Sequence, residues 1–560
     1  MRVTSQLPTD SAGARKARGA FFTPPPLCRY VADWAIRSPV DDVLEPSCGE
    51  AAFLLAAGER LDALAHITGA VRGHLDGIEL HADSARQAEG FVRGAGHEAR
   101  VTVGDFFLVP PTPTYDAVIG NPPYVRYQDF AGEARLRSRE AALRAGVSLT
   151  GLASSWAAFT VQSALFLKRG GRLGLVLPAE LLSVNYAAEV RRFLMERFAR
   201  VRLVLFTERV FPDVLEEVVL LLADGYDDGP AGHCELQQAR NAEDLVSTTP
   251  ITRLWKPDPV DAKWTPSLLS TEALETYLAV ERGGQFTPLQ TWGETTLGMV
   301  TGNNRYFAVP APRAAELGLR RGELLPLSPP GSRHLRGLSF TAAAYDELTA
   351  AGAASLLFRP AGAPSPAAVR YIEAGEHLGV HHAYKCRVRT PWWRVPLVAP
   401  ADLLLTYMNA DTPRLCANRK HAHHLNSVHG VYLRPELRDL GMDLLPLGAL
   451  TSMTLLGAET VGRAYGGGML KLEPKEADRL PVPTPEVLHA ARGALAAIRP
   501  QVAARLRRPK CLTEAAKLVD DVLLVGELGF PRSQVKSLRE AHAEMTARRV
   551  ARGGAGRGQG

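Results

Sequence analysis

Cysteine is scarce in this 560-residue chain: Cys28, Cys48, Cys234, Cys386, Cys416 and Cys511 are the only six, spread along its length with no CxxC pair. That excludes a disulfide framework and a zinc ribbon, and makes reduced thiols the expectation. No window offers the roughly 18 uncharged apolar residues that a membrane helix needs. The first residues, Met1 to Pro8, are too polar for a secretory signal, so a soluble intracellular protein is expected. Internal repeats are absent. Neither sign of charge prevails, with 65 Lys and Arg against 59 Asp and Glu and a net charge of +6, a balance compatible with nucleic acid without singling it out. Hydrophobic residues at 46% and charged residues at 22% exclude a disordered, collagenous or coiled-coil chain. At about 100–200 residues per domain, the length predicts two to four domains.

From about Val40 to Gly225, short apolar runs alternate with stretches of helical period, the pattern of a parallel sheet covered on both faces. Strands are expected at Val43-Leu44, at Gly77 to Leu80, at Arg100 to Gly104 and at Tyr115 to Gly120, where Asn121-Pro122-Pro123-Tyr124 stops the run. Further strands at Leu173 to Leu177, Val201 to Phe206 and Val218 to Ala223 complete a sheet of about seven. The last two are joined too briefly for a parallel crossover and should pair antiparallel. Gly- and Pro-rich stretches after Asp224 predict a boundary, with the first domain ending near residue 235 and a connecting segment over 236–289. A mixed α+β region of irregular periodicity follows over 290–490. Residues 491–560 read as a helical piece, Glu514 to Leu528, and a disordered basic tail from Arg548.

Open parallel sheets bind ligands at the carboxyl ends of their strands, so the residues behind each strand carry the functional reading. Glu45-Pro46-Ser47-Cys48-Gly49 is a tight turn in which Gly49 lets the backbone approach a ligand; Glu79 is placed to accept ribose hydroxyls. Asp105 offers a carboxylate for an exocyclic amine, and Phe106 an aromatic face. Together they describe a pocket for a nucleoside-containing cofactor. A single glycine and no Walker lysine disfavour pyrophosphate and triphosphate. Thr23-Pro24 opens a helix over Pro25 to Ile36 whose free N–H groups suit a carboxylate, unless Thr23 is an ordinary cap. In Asn121-Pro122-Pro123-Tyr124, two prolines fix the backbone so that the Asn121 side-chain carbonyl and the Pro122 main-chain carbonyl can point at one spot, beside a ring. Two acceptors and a ring suit the amino group of a planar base.

The ordered segments Gly19 to Pro24, Leu44 to Gly49, Gly104 to Phe106 and Gly120 to Tyr124 resemble the motifs of the amino-methyltransferases that modify adenine N6 in DNA. Their order is that of the gamma class. The likeness extends more loosely into Thr296 to Phe307 and Gly462 to Pro483, which are similar to segments of restriction-modification methylases of the Eco57I and TaqI type. This resemblance implies a Rossmann-like class I fold dependent on S-adenosylmethionine, followed by a target-recognition domain. Thr23 would hold the methionine carboxylate, Glu79 the ribose and Asp105 the adenine amine, with Glu45 and Gly49 in the cofactor loop and Phe106 against the adenine ring. Asn121, Pro122 and Pro123 would grip the target amine, and Tyr124 would stack on the target base. Phe211 matches a second aromatic against that base, or else a core residue of a hairpin. One departure from the family pattern is Ala51, where a second glycine is usual and a methyl would crowd the cofactor.

Double-stranded DNA is the implied partner, with the protein a monomer in the prokaryotic cytoplasm at the nucleoid and a cognate restriction endonuclease encoded separately. Arg126, in the arginine-rich stretch to Arg144, and Lys385, Arg387, Arg389 and Trp392, in a run of interleaved cations and aromatics, are candidate DNA contacts. Arg463 and Lys471, around the glycines Gly466 to Gly468, form another. His421, His423, His424 and His429 near Cys416 match no common metal spacing, and a polar surface loop is expected there rather than a metal site. Other readings are a methyltransferase acting on RNA or on a protein glutamine, and a non-catalytic DNA-binding specificity or phage-defence component. The length of chain after the sheet argues against the first, and the intact Asp105, Asn121, Pro122 and Tyr124 against the second.

Overall fold

The computed structural model describes residues 23–125, 132–208, 210–211, 217–247, 252–465, 468–508 and 511–554. The chain divides into two compact units, Met1–Leu268 and Leu269–Gly560.

The first unit is built on one sheet of nine strands: β1 Val43–Glu45, β2 Leu75–Glu79, β3 Arg100–Val103, β4 Tyr115–Gly120, β5 Leu167–Pro178, β6 Phe198–Phe206, β7 Val218–Tyr226, β8 Cys234–Ala239 and β9 Thr252–Trp255. Their order is β3-β2-β1-β4-β5-β7-β6-β8-β9. The first five run parallel, and β7 lies antiparallel between β5 and β6, in register from Arg172 opposite Asp224 to Pro178 opposite Val218. Central strands of such a sheet are buried on both faces, which is why Val-Val-Leu-Leu-Leu-Ala of β7 is apolar without alternation. Helices cover the faces. Pro25–Ala35 has proline in its first turn and buries Leu27, Val31 and Ala35, while Ala52–Thr68 buries Phe53, Leu54, Ala57 and Leu61. The direction of strand order reverses between β1 and β4, so the crevice expected of an open α/β sheet opens behind those two strands.

Two expectations are corrected here. The sheet has nine strands rather than about seven, because residues taken for the connecting segment extend it: β8 pairs parallel to β6 from Val201 opposite Cys234 to Phe206 opposite Ala239, and β9 closes the edge antiparallel. In β8, Cys234, Leu236 and Ala239 are buried while the glutamines disguise the strand. The unit accordingly runs to Leu268, and the helix Thr271–Arg282, capped by Ser270, already belongs to the second unit, so no separate connecting segment spans 236–289.

The second unit is mixed α+β. Gly293–Leu297, Val428–Leu433, Leu403–Thr406 and Leu415–Ala417 form a four-stranded antiparallel sheet, and three smaller sheets surround it. Helices over 492–506 and 512–520 do not trail behind this region: Leu495, Val502, Leu506, Ala515 and Val519 share one core with Leu403, Val431 and Leu444. The supposed basic tail also needs correction. Its first residues complete the helix Arg532–Gly554, and Arg549 is only 2% exposed, its guanidinium on the buried Glu459 at 2.8 Å. A partner ninety residues away is invisible to a reading of local composition. Residues 555–560 lie outside the described residues. Among the described residues, no single helix is long and apolar enough to cross a membrane.

Candidate active site

Behind β1 the chain turns through Pro46 to Gly49 into the helix Ala52–Thr68. Gly49 has φ of +46°, and its N–H donates to Oε2 of Glu79 at 3.0 Å, while Oε1 of Glu79 accepts the N–H of His81 at 3.0 Å. The acid behind β2 therefore ties down the loop behind β1. A Cβ on Gly49 would meet no described atom within 4 Å, so the outer side of the loop is open, as a backbone approached by a ligand requires.

Glu45 is the last residue of β1. It is 3% exposed and accepts the N–H of Leu54 at 3.0 Å, capping the helix, and burial pushes its carboxyl well above the usual carboxylate range. It ties the end of β1 to the first turn of the helix that follows the loop. Ala51 is left-handed, φ 64°, with its methyl buried in the core, so the departure from glycine strains the backbone rather than crowding the crevice.

Behind β3, Oδ1 of Asp105 caps the short turn Phe106–Leu108 through the N–H of Phe107 at 3.0 Å, and Oδ2 faces Arg137 at 3.3 Å. Arg137 stands on the helix Gly132–Leu143 and also binds Glu133, so this helix reaches the acid that the sequence assigns to an amine. Phe106 is 3% exposed, with its ring stacked near Phe159 at 5.0 Å and Phe166 at 5.5 Å. The ring is packed into the interior behind β3.

The corner behind β4 is pinned at three points. Nδ2 of Asn121 donates to the Thr23 hydroxyl at 3.2 Å, which turns Oδ1 the other way, toward the Tyr124 hydroxyl at 2.7 Å. The same hydroxyl lies 2.9 Å from the main-chain carbonyl of Val176 in β5, so its single hydrogen serves one or the other of two acceptors. Thr23 is not the helix cap: Pro24 precedes the helix with no side-chain cap, and the Thr23 hydroxyl accepts from the Asn121 amide and so orients it, which leaves its own hydrogen to donate. Ser155, 2% exposed, makes the third pin. Its hydroxyl donates to the carbonyl of Pro123 and accepts the N–H of Val125 at 2.9 Å, fixing the chain on both sides of Tyr124. Sequence reasoning missed Ser155 because a serine pair opening a helix reads as a cap. Phe211 is 5% exposed and belongs to the same apolar cluster against which Tyr124 packs.

In the second unit the candidate contacts divide. Arg389 is spent on the carbonyls of Val300 and Thr301, Trp392 donates to Glu376 at 2.9 Å, Arg463 pairs with Glu476 at 3.2 Å, and Lys471 with Glu473 at 2.8 Å. These four hold the fold together. Lys385 and Arg387 stand exposed on the short helix Tyr384–Arg387. Arg126, Gly466 and Gly467 lie outside the described residues. The expected polar surface loop holds for part of the histidine cluster only: His421 is exposed and His423 half-buried. His424 and His429 are 1% and 0% exposed, and burial, with His423 and His429 alongside, pulls the His424 imidazole down to about 4. Among the described residues, no group of three or more His, Cys, Asp or Glu is placed to hold a metal ion.

The open loop, the acids behind β2 and β3 and the pinned corner behind β4 lie together at the carboxyl ends of the strands, and the comparisons with known proteins name methyltransferases. The chain is 26% identical over 501 residues to Type II methyltransferase M.XamI of Xanthomonas campestris pv. amaranthicola, covering 86% of this chain and 88% of the relative. It is 23% identical to Type II methyltransferase M.AccI of Acinetobacter calcoaceticus, covering 83% and 85%. The fold is that of the Type IIL restriction-modification enzyme MmeI, solved in complex with DNA, at 11% identity and a TM-score of 0.56 over 91% of this chain and 73% of that one. Residues 102–211 match the Eco57I restriction-modification methylase model, and residues 261–524 the C-terminal domain of Type II methyltransferase M.Eco57I. The chain belongs to the Eco57I restriction-modification methylase family.

Proposed function

We propose that this protein is the modification methyltransferase of a restriction-modification system and that it methylates N6 of an adenine flipped out of duplex DNA. The observation that carries the reading is the orientation of Asn121: its amide nitrogen is committed to Thr23, so its carbonyl oxygen faces the corner shared with Tyr124. A carbonyl oxygen has two lone pairs, so Oδ1 can keep the tyrosine hydroxyl and accept one hydrogen of a target amine. The Pro122 carbonyl would take the other. Holding both hydrogens localises the nitrogen lone pair for attack along the line of the transferred methyl, and no strong base is required. S-adenosylmethionine supplies the methyl on a sulfonium; Gly49, Glu79 and Asp105 are the residues that would hold it.

A base inside a duplex is out of reach, and extruding it costs a few kcal/mol. Stacking on an aromatic ring contributes about 1–3 kcal/mol per base, enough for Tyr124 to offset much of that, with Phe211 in the same cluster. One chain carries both the transfer site and a second unit of recognition type, which supports a monomer acting in the cytoplasm beside a separately encoded endonuclease.

The test is incubation with tritiated S-adenosylmethionine and mixed genomic DNA, followed by nucleoside analysis. N6-methyladenine is expected; N4-methylcytosine would correct the base, and label confined to RNA or protein would reject the substrate. Replacing Asn121 by Ala should lower transfer by at least about 100-fold, the size of losing a positioned acceptor or donor in a transition state. Calorimetry should find cofactor affinity on that variant within a few-fold of the parent.

A further inference from the structure

Acidic residues are unevenly spread in the second unit. None occurs from Thr295 to Ala315 or from His377 to Ala401, although the chain holds 59. The fold lays these two stretches together. Gly302, with φ of +91°, rests so closely on the second that an added Cβ would come within 3.0 Å of Cys386 Sγ and 3.3 Å of Lys385 Cβ. The Cys386 thiol donates to the carbonyl of Thr301 at 3.5 Å, and Arg389 clamps the carbonyls of Val300 and Thr301. The result is one tip, made of the loop entering the helix Asn304–Phe307 and the helix Tyr384–Arg387.

Only some of its cations are spent on holding it together. Arg389 is committed to backbone carbonyls, Arg394 to the carbonyl of Ala361 and Arg313 to Glu316, whereas Arg305, Lys385 and Arg387 stand exposed. Apolar side chains share that exposure: Tyr384 is 66% and Val388 62% accessible. Cations that form no ion pair among the described residues, interleaved with exposed apolar groups, match a surface whose partner has phosphates outside and apolar base edges within reach.

We propose that this tip is a duplex-DNA contact of the second unit, with Arg305, Lys385 and Arg387 on phosphates and Tyr384 and Val388 against the groove. This rests on the DNA methyltransferase reading above. Each phosphate neutralised on duplex DNA contributes about 0.9 to the slope of log affinity against log salt. The full-length triple variant Arg305→Ala, Lys385→Ala, Arg387→Ala should therefore show a slope shallower by about 2–3, and a KM for plasmid DNA raised about tenfold or more at physiological salt.

The experiment measures methyl transfer from tritiated S-adenosylmethionine to plasmid DNA from 50 to 250 mM NaCl. Arg305→Lys with Arg387→Lys should keep the parent slope, which separates charge from folding. Lys385→Glu alone repeats the measurement at one exposed position, should the triple variant lose its fold. A parent protein that labels no DNA would sink the methyltransferase reading itself. A parent that labels DNA, with Lys385→Glu or the triple variant keeping its slope and KM, would overturn the tip.

Discussion

A single buried hydroxyl supplies one of the three pins of the corner behind β4. Ser155 accepts from Val125 and donates to Pro123, so the peptide groups flanking Tyr124 are held by one atom. Ser155→Ala leaves the prolines in place and frees that hold. A displacement of about 1 Å in a reacting group can lower a rate about 100-fold, so kcat for methyl transfer should fall by about 10–100-fold with cofactor affinity unchanged, and Ser155→Thr should restore most of it. An unaltered kcat would show that the prolines alone fix the corner. Ala51 tests backbone strain at the other side of the crevice. A left-handed alanine costs about 1–2 kcal/mol, part of which glycine returns as unfolded-chain entropy, so Ala51→Gly should change stability by less than about 1 kcal/mol. Ala51→Val, β-branched at φ 64°, should lose about 2 kcal/mol or more in urea unfolding. Cofactor affinity of Ala51→Gly should match the parent, because the methyl faces the core.

At the scale of elements, Asp520 ends the helix Leu512–Asp520 with no exposure, accepting the Ser452 N–H at 2.7 Å and the Ser452 hydroxyl at 2.6 Å. Burial raises its carboxyl from 3.8 to about 6, although the Ser452 hydrogen bonds and Arg539 oppose the rise. A carboxyl raised in the folded state binds its proton more tightly there than in the unfolded chain, so folding is favoured as pH falls from about 6 toward 4 and the contribution is absent above 6. The second unit should gain up to about 3 kcal/mol from this group on acidification, and Asp520→Asn should remove that part of the pH dependence in unfolding curves between pH 4.5 and 7.5. Elements of this kind were beyond the sequence, whereas β7 and the Ala-Val-Ile centre of β4 were legible because strands buried on both faces are continuous apolar runs. The second unit hides its strands. Phe286–Pro288 pairs with Pro481–Pro483 across almost two hundred residues, and a Pro-Val-Pro strand contradicts every local propensity. The site divides the same way: Asn121, Pro122 and Tyr124 follow a visible strand end, while Ser155, Arg137 and the inward turn of Glu45 depend on hydrogen bonds that join distant segments.

On the scale of the whole molecule, the two units have separate interiors. One core joins Leu27, Val43, Phe53 and Leu220; another joins Leu403, Val431, Leu495 and Val519. Every residue assigned to the cofactor lies in the first unit, so a saturating cofactor stabilises that unit by mass action and has no direct contact through which to stabilise the second. At 100 times its dissociation constant, S-adenosylmethionine should raise the first unit's unfolding free energy by about 2.7 kcal/mol. The complementary lesion lies in the second unit. Glu459→Ala would strand Arg549, 2% exposed, without its carboxylate partner, and unpairing a buried ion costs about 3–5 kcal/mol. Scanning calorimetry of the full chain should therefore resolve two transitions that respond to different changes: one moved upward by the cofactor and untouched by Glu459→Ala, the other lowered by Glu459→Ala and indifferent to the cofactor. A single transition moved by both would mean that the units unfold as one cooperative body despite their separate cores.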